Sequence, residues 1–157
     1  MSTPAPTLAP LTTNRAPDNT YLLWGEPRQE MSATTWADLP GAEIPLTLGS
    51  GGNTSPYGAV YVATFSAEAI VEHPDINAVA SVTVFFGPDQ AEPVSSNHRF
   101  VSARGNPEWS SHTLIRVADF PVSLTPRNVT ARVKVQVNNG AKAGFQNWVL
   151  KIEQYNR

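Results

Sequence analysis

The 157-residue chain contains no cysteine, which excludes a disulfide framework and a zinc site with cysteine ligands. It also lacks any run approaching the roughly 20 apolar residues that a membrane-spanning helix needs. Its first residues show no basic segment followed by an apolar stretch, the pattern of a secretion signal. A chain of this length can bury a core without such cross-links. We therefore expect a protein made in the cytoplasm, with no membrane partner.

Charged residues are scarce, at 15% of the chain, and they are unevenly placed. Residues 1–98 hold two basic and ten acidic side chains, whereas residues 99–157 hold nine basic and three acidic ones. The basic side chains form no clustered run, which argues against nucleic-acid binding. Two interpretations remain open. Either strands from the two halves interleave so that the charges pair within the molecule, or complementary faces meet between neighbouring subunits.

Long helical patterns are absent, and the clearest periodicity is a period-2 alternation near the C-terminus. Residues 129–137 alternate valine or alanine with polar side chains, which is typical of a strand with one buried face. After an Asn/Gly-rich break at residues 138–144, the alternation resumes over residues 148–155. We predict that these two runs form an antiparallel hairpin and that the last strand lies inside its sheet.

Further strands are predicted between Gly- and Pro-rich turns. They cover residues 20–24, 32–36, 44–48, 59–65, 80–86, 96–102 and 111–117. Pro45 indicates a sheet edge, and residues 66–72 fit either one helical turn or a continuing strand. With 14 prolines and 10 glycines to make the turns, about eight strands favour an all-β fold. We predict an antiparallel β-sandwich of jelly-roll or Greek-key type, formed as a single domain by residues 19–157.

The N-terminal residues differ from the rest of the chain. Residues 1–17 contain four prolines, one charged side chain and no apolar periodicity. Proline removes backbone donors and favours extended geometry, so residues 1–18 are predicted to form an extended Pro/Thr-rich arm. We expect the arm to lie on a neighbouring subunit in a closed homo-oligomer, a trimer or larger. The candidate assembly residues are Pro4, Pro6, Leu8, Pro10 and Leu11.

No pattern that identifies a reaction is present. The chain has no Gly-x-Ser-x-Gly elbow, and its three histidines lack the spacing of a metal site. The remaining alternative is a cation held by Asp119 together with His98 and His112 on adjacent strands; ordinary hydrogen-bonded histidines are the simpler interpretation. We therefore predict no catalytic, metal or cofactor site and no enzyme activity.

The tryptophans offer the candidate contact residues. Trp109 follows Arg104 and Glu108 at a polar junction between a loop and a strand, and Trp36 lies in another polar stretch. An exposed tryptophan beside polar groups is used by sugar-binding faces and also by protein interfaces. Local packing, a subunit contact and ligand binding all remain open for Trp109. The candidate interface or ligand contacts are Trp109, Trp36, Arg104 and Glu108.

The arm, the cysteine-free sandwich and the terminal strand Trp148-Val149-Leu150-Lys151-Ile152-Glu153-Gln154-Tyr155 together resemble small virion proteins of tailed bacteriophages and related viruses. Capsid decoration proteins and tail or fibre adaptor domains are built in this way. The resemblance implies a structural protein located in the virion, with other virion proteins as partners, and it carries over no functional residue. The alternative is a carbohydrate- or receptor-binding module on the same fold, with Trp109 or Trp36 stacking on a surface glycan.

Overall fold

The computed structural model describes residues 16–48, 58–104 and 107–156, which form strands joined by turns and loops. The strands are β1 (Asn19–Gly25), β2 (Gln29–Met31), β3 (Ala37–Leu48), β4 (Ala59–Glu72), β5 (Val79–Phe86), β6 (Asp89–Gln90), β7 (Arg99–Ser102), β8 (Ser110–Phe120), β9 (Arg127–Val137) and β10 (Lys142–Asn156). Nowhere in these ranges is there a helix with the length and apolar character to cross a membrane.

The strands form two antiparallel sheets that pack face to face. Sheet A has the order β1-β10-β4-β8, with β2 also beside β10, and sheet B has the order β3-β9-β5-β6, with β7 also beside β5. The main strands pair in a nested way: β1 with β10, β3 with β9, β4 with β8, and β5 with β7. This nesting of first with last is the jelly-roll arrangement. The predicted all-β antiparallel sandwich is therefore confirmed.

The predicted C-terminal hairpin is wrong. β9 pairs with β3 and β5 in sheet B, whereas β10 pairs with β1, β2 and β4 in sheet A. The turn between them, which contains Asn139 and Gly140 at positive φ, crosses from one sheet to the other. The alternation in each strand shows which side chains face the core, and because both sheets share one core it does not show which sheet a strand joins. The prediction that the last strand lies inside its sheet is correct.

Two local predictions are settled along β3 and β4. β4 continues as a strand through Glu72, because Ala67, Ala69 and Val71 keep the inward alternation. β3 is an edge strand of sheet B, as Pro45 indicated. It runs through the Pro40-Gly41 pair with a shift of register, and Gly41 adopts a φ of 82° that favours glycine. The strand expected over residues 32–36 is not formed.

The core between the sheets is built around aromatic side chains. Tyr61 stacks on Phe86 with ring centroids 5.5 Å apart, and Phe65 lies 6.3 Å from Trp148. Tyr61, Phe65 and Phe86 are almost completely buried, and burying each apolar side chain of this size stabilises the fold by about 1.5–3 kcal/mol. Burial also raises the pKa of the Tyr61 phenol well above its usual range.

Charges from the two halves of the sequence meet within the molecule. On the paired strands β3 and β9, Arg132 lies 3.1 Å from Glu43 and Lys134 lies 3.3 Å from Asp38. These acids belong to the acidic half and these bases to the basic half. Interleaving, the first of the two interpretations of the charge asymmetry, is thus seen at these pairs.

Candidate functional site

The two sheets leave an opening between β7, in sheet B, and β8, the edge strand of sheet A. Two adjoining cavities of about 440 Å³ each lie in this opening. Both have Arg99, Phe100 and His112 in their walls. We call this surface, lined by residues 99–104, 108–110 and 112–116, the β7–β8 groove.

The floor of the groove is aromatic. The register between β5 and β7 shifts beside Phe100, and Phe100 is buried against Phe65, Phe145 and His112, with ring centroids 5.9, 6.1 and 5.3 Å away. The Nε2 atom of His112 lies 2.6 Å from the Oγ of Ser110. Burial, and after it the positive charge of Arg104, lowers the pKa of the His112 imidazole. Both effects favour the neutral form of the histidine, whose ring forms part of the floor.

Three guanidinium groups border the groove. The Nε of Arg104 donates a hydrogen bond to the Oγ of Ser102 at 3.3 Å, and Nη1 of Arg116 donates to the carbonyl of Ile115 at 2.8 Å. The Nε of Arg116 is buried without a hydrogen-bond partner in the part of the chain that the structure describes, and burial lowers its pKa. Neither these two residues nor Arg99 forms an ion pair with a carboxylate among the described residues.

Trp109 stands at the end of the groove and is 37% exposed. The guanidinium of Arg28 lies over its ring, with Cζ 5.3 Å from the centroid. Arg28 is fixed by Glu72 at 2.9 Å and Glu30 at 3.0 Å, and the hydrogen bond to Glu72 is the main cause that raises the Arg28 pKa. A Cβ added at Gly144 would lie 3.1 Å from the Trp109 ring, so the glycine leaves room for the indole. The indole is thus held in place yet partly open to solvent.

Three of the four predicted contact residues come together here, and one does not. Arg104, Glu108 and Trp109 line the same cavity. Trp36 lies elsewhere, edge-on to Phe85 of sheet B with the centroids 6.1 Å apart. The arm residues Pro4, Pro6, Leu8, Pro10 and Leu11 lie outside the described residues.

A second surface is the outer face of sheet A. Its outward side chains form three rows across β1, β10, β4 and β8. The rows are Thr20-Glu153-Val62-Val117, Leu22-Lys151-Thr64-Ile115 and Trp24-Val149-Ser66-Thr113. We call this surface the Trp24 face. Leu22, Trp24, Val149 and Ile115 are 56%, 62%, 40% and 56% exposed, and the only charges in the rows, Lys151 and Glu153, lie 3.5 Å from each other.

Comparison with known proteins finds no matching family model and no matching curated protein. Solved structures that resemble the chain include the CBM36-1 domain of a xylanase from the hindgut metagenome of Trinervitermes trinervoides, with 13% identity, a TM-score of 0.37 and coverage of 85% of this chain and 96% of that one. A chain of infectious bursal disease virus strain Gx has 9% identity and a TM-score of 0.42 over 98% of this chain and 37% of the viral one. Dimeric latent PorU from Porphyromonas gingivalis has 13% identity and a TM-score of 0.36 over 92% and 14%.

These three likenesses have low scores. This chain spans 37% of the viral chain and 14% of the PorU chain. Because all three TM-scores lie below 0.5, the likenesses decide neither the family nor the function.

The sequence did not predict two members of the groove, Arg99, which lines both cavities, and Arg116, which lines the second one. The less simple alternative from the sequence, a cation held by Asp119 with His98 and His112 on adjacent strands, is not formed, because the two histidines do not lie on adjacent strands. His98 precedes β7 of sheet B and contacts the carbonyl of Pro93 at 2.6 Å, whereas His112 belongs to β8 of sheet A. Within the described ranges no group of three His, Asp or Glu side chains could hold a metal ion.

Proposed function

We propose that this protein is a non-enzymatic structural protein that assembles with copies of itself through the Trp24 face and its N-terminal arm, as a component of a virion. The observation that carries the proposal is the exposed apolar surface of sheet A. The jelly roll is used by viral capsid proteins and by lectins alike, so the fold alone does not choose between assembly and sugar binding.

The Trp24 face has the chemistry of a protein interface. Trp24 is 62% exposed and lies directly opposite Val149, with Leu22 two residues away on the same strand. Apolar side chains exposed together on a flat surface often mark an interaction site, and tryptophan contributes disproportionately to binding energy where it is buried between proteins. Covering this face with a partner would remove these side chains from water.

The charges on the face favour a second copy as the partner. Lys151 and Glu153 are of opposite sign and neighbours on β10. A copy turned by a two-fold axis presents Glu153 to Lys151 and Lys151 to Glu153, so the face is self-complementary. A partner whose charges are all of one sign would place a like charge against either Lys151 or Glu153.

The size of the face explains why an arm is needed. Four strands about 4.8 Å apart and three rows about 7 Å apart cover roughly 400 Å², whereas a stable interface buries about 800 Å² on each partner. The described chain enters β1 at Asp18, whose backbone N–H donates to the carbonyl of Gln154 at 2.8 Å, beside this face. We propose that residues 4–11 supply the missing contact by lying on a further copy, which extends the pair to a larger closed assembly.

Assignment to a virion rests on the resemblance of the arm, the cysteine-free sandwich and the terminal strand to virion accessory proteins. Within a virion, the protein would act as a capsid decoration or a tail or fibre protein, made in the host cytoplasm and bound to other virion proteins. Its expected activity is association, with many copies offsetting the entropy lost when each arm is ordered.

The test is the mass of the full chain in solution, measured by light scattering across a concentration series. Trp24→Glu places a charge in the apolar face and should weaken assembly by about 100-fold or more. Thr47→Glu is the matched control, because it places the same charge on the outer side of β3 in sheet B. Deleting residues 2–15 should reduce the assembly to a pair. Circular dichroism verifies that each variant is folded.

Two results would contradict the proposal. One is a wild-type chain that stays monomeric at every concentration. The other is a Trp24→Glu variant that assembles as well as Thr47→Glu does.

A further inference from the structure

The described cations differ in whether a carboxylate pairs with them, and Lys142, away from the groove, is one without an ion pair among the described residues. Arg28, Arg132, Lys134 and Lys151 each form an ion pair with a carboxylate. The three that border the β7–β8 groove, Arg99, Arg104 and Arg116, form none within the described ranges, and Glu108 is the one described carboxylate among the residues lining the groove. An unpaired guanidinium presents a planar fork of donors that matches a carboxylate or a phosphate. The groove therefore favours an anionic ligand.

The other side chains of the groove indicate which further chemical groups the ligand carries. Trp109 offers part of a flat aromatic surface, and the Oγ atoms of Ser102 and Ser110 and the carboxylate of Glu108 line the same cavity. A flat apolar ring packs well against the apolar face of a sugar, and hydroxyls and carboxylates accept hydrogen bonds from sugar hydroxyl groups. A bare inorganic anion would make no use of Trp109 and would be repelled by Glu108.

We propose that the β7–β8 groove binds an acidic saccharide, a sugar ring that bears a carboxylate, with Arg104 binding the carboxylate and Trp109 packing against the ring. Each of the two adjoining cavities has a volume of about 440 Å³, within the range of small-molecule sites. Arg99 borders both cavities, and Arg116 lies in the second one. A second acidic unit of an oligosaccharide would occupy that cavity, where the guanidinium of Arg116 lines the wall.

This inference is separate from the assembly proposal. The groove opens between the edges of the two sheets, whereas the Trp24 face is the outer side of sheet A. The two surfaces meet only along β8, at Thr113 and Ile115. A variant in either surface should leave the other function in place, so failure of one proposal does not imply failure of the other.

The experiment is a titration of the full chain, followed by NMR signals of the tryptophan indole N–H and arginine Nε–H groups. The probes are glucuronate, galacturonate and N-acetylneuraminate; the uronates have glucose and galactose as matched neutral sugars, and acetate and phosphate are the matched simple anions. We expect at least one acidic sugar to shift the signals of Trp109 and Arg104. Its affinity should exceed that of its neutral counterpart and of the simple anions by at least tenfold.

Two substitutions locate the site. Arg104→Gln removes the charge that binds the carboxylate and should weaken binding at least tenfold, and Arg99→Gln should weaken it by less. Arg132→Gln, on the outer face of sheet B, is the matched control and should leave the affinity unchanged. Arg104 is exposed, so its substitution should leave the fold intact, which the unchanged spectrum of the free protein would verify.

Several outcomes would overturn the proposal. Equal affinity for acidic and neutral sugars would mean that the guanidinium groups do not recognise the ligand. Equal affinity for acetate or phosphate would mean a simple anion site. Absence of binding by all three acidic sugars, or binding that Arg104→Gln and Arg132→Gln change equally, would remove the groove as the site.

Discussion

The outer faces of the two sheets are made by the same kind of alternating strand, yet they present different chemistry to solvent. On sheet B, Arg132 and Lys134 pair with carboxylates of β3. Lys134 also covers the ring of Phe85, with Nζ 5.0 Å from its centroid. On sheet A, Trp24 and Leu22 are more than half exposed, and the rows around them contain a single ion pair.

The outer face of sheet B has its charges paired within one chain, whereas the outer face of sheet A leaves apolar side chains in contact with water. The charges of Arg132 and Lys134 on sheet B find partners in the same molecule. Connecting segments cover part of that face, as where Gln136 donates to the carbonyl of Ser96. The apolar groups of sheet A stay exposed, and no connecting segment among the described residues covers them. Exposed ion pairs contribute little stability, whereas buried apolar area drives association. We therefore expect sheet A to govern assembly.

The largest expected loss of stability comes from a substitution at Gly25, on the strand that carries Trp24. A Cβ at this position would lie 2.8 Å from the buried indole of Trp148, so Gly25→Ala should force β1 or the indole to move. We expect a loss of about 1–3 kcal/mol in the free energy of unfolding, measured by urea denaturation at concentrations where the chain is monomeric.

The matched variant is Leu22→Ala, which truncates an exposed side chain on the same strand. It should change the monomer's stability by less than about 0.5 kcal/mol while weakening assembly. A large loss of stability in Leu22→Ala would mean that the apolar face serves the fold and not a partner.

The ion pairs of sheet B should give a smaller effect. Arg132→Ala removes contacts with Glu43 and Asp38 whose side chains are about half exposed, so we expect a loss of about 0.5–1 kcal/mol that shrinks as salt is added. Lys142→Ala removes a cation that has no ion pair within the described ranges and should cost close to nothing. Equal costs for both variants, or an Arg132→Ala cost that salt does not reduce, would contradict this account of sheet B.

The smallest expected effect concerns Glu68, on the outer side of sheet A beyond the Trp24 face. Hydrogen bonds from Gln146 at 2.9 Å and Asn147 at 3.1 Å hold the pKa of the Glu68 carboxyl below its usual range. Because the pKa is lower in the folded state, this carboxylate stabilises the fold above its unfolded pKa, and the contribution is lost as the pH falls through the folded pKa.

NMR titration of Glu68 in an Asn147→Ala variant should show its pKa move upward toward the ordinary value. Asn139→Ala removes an amide from Asp75 at another site and serves as the control. A Glu68 pKa that stays depressed in Asn147→Ala would assign the shift to other groups.

The sequence predicts which side chains of a strand face the core better than it predicts which strands pair with each other. The alternation of β9 identifies its inward residues, and Val133, Val135 and Val137 are buried as expected. The partners of β9 are not encoded locally: Glu43 lies 89 residues from Arg132, and only the nested closure of the two sheets brings them together. The hairpin prediction failed for this reason, since nearness in sequence favoured β10 as the partner of β9.

The residues of the groove were predicted better than those of the Trp24 face, for a related reason. Arg104, Glu108 and Trp109 lie within a few residues of one another, so their joint placement in one cavity follows from the local sequence. Arg116 reaches the groove only through the register of β8. In β1 the apolar residues occupy both faces, as in Tyr21 and Leu22, so alternation could not show that Leu22 and Trp24 are the exposed ones.

The nested pairing of β1 with β10 brings the two ends of the described chain to one corner of the molecule. Asp18 accepts a hydrogen bond from the backbone N–H of Asn156 through Oδ2 at 2.7 Å, and its own N–H bonds to Gln154 at 2.8 Å. A domain with adjacent ends can be inserted into a surface loop of another protein, or circularly permuted, without parting its sheets. In a circular permutant, new ends could be placed at the exposed turn of Asn139 and Gly140. A domain fused at either natural end would project from the corner at Asp18, where the arm joins β1.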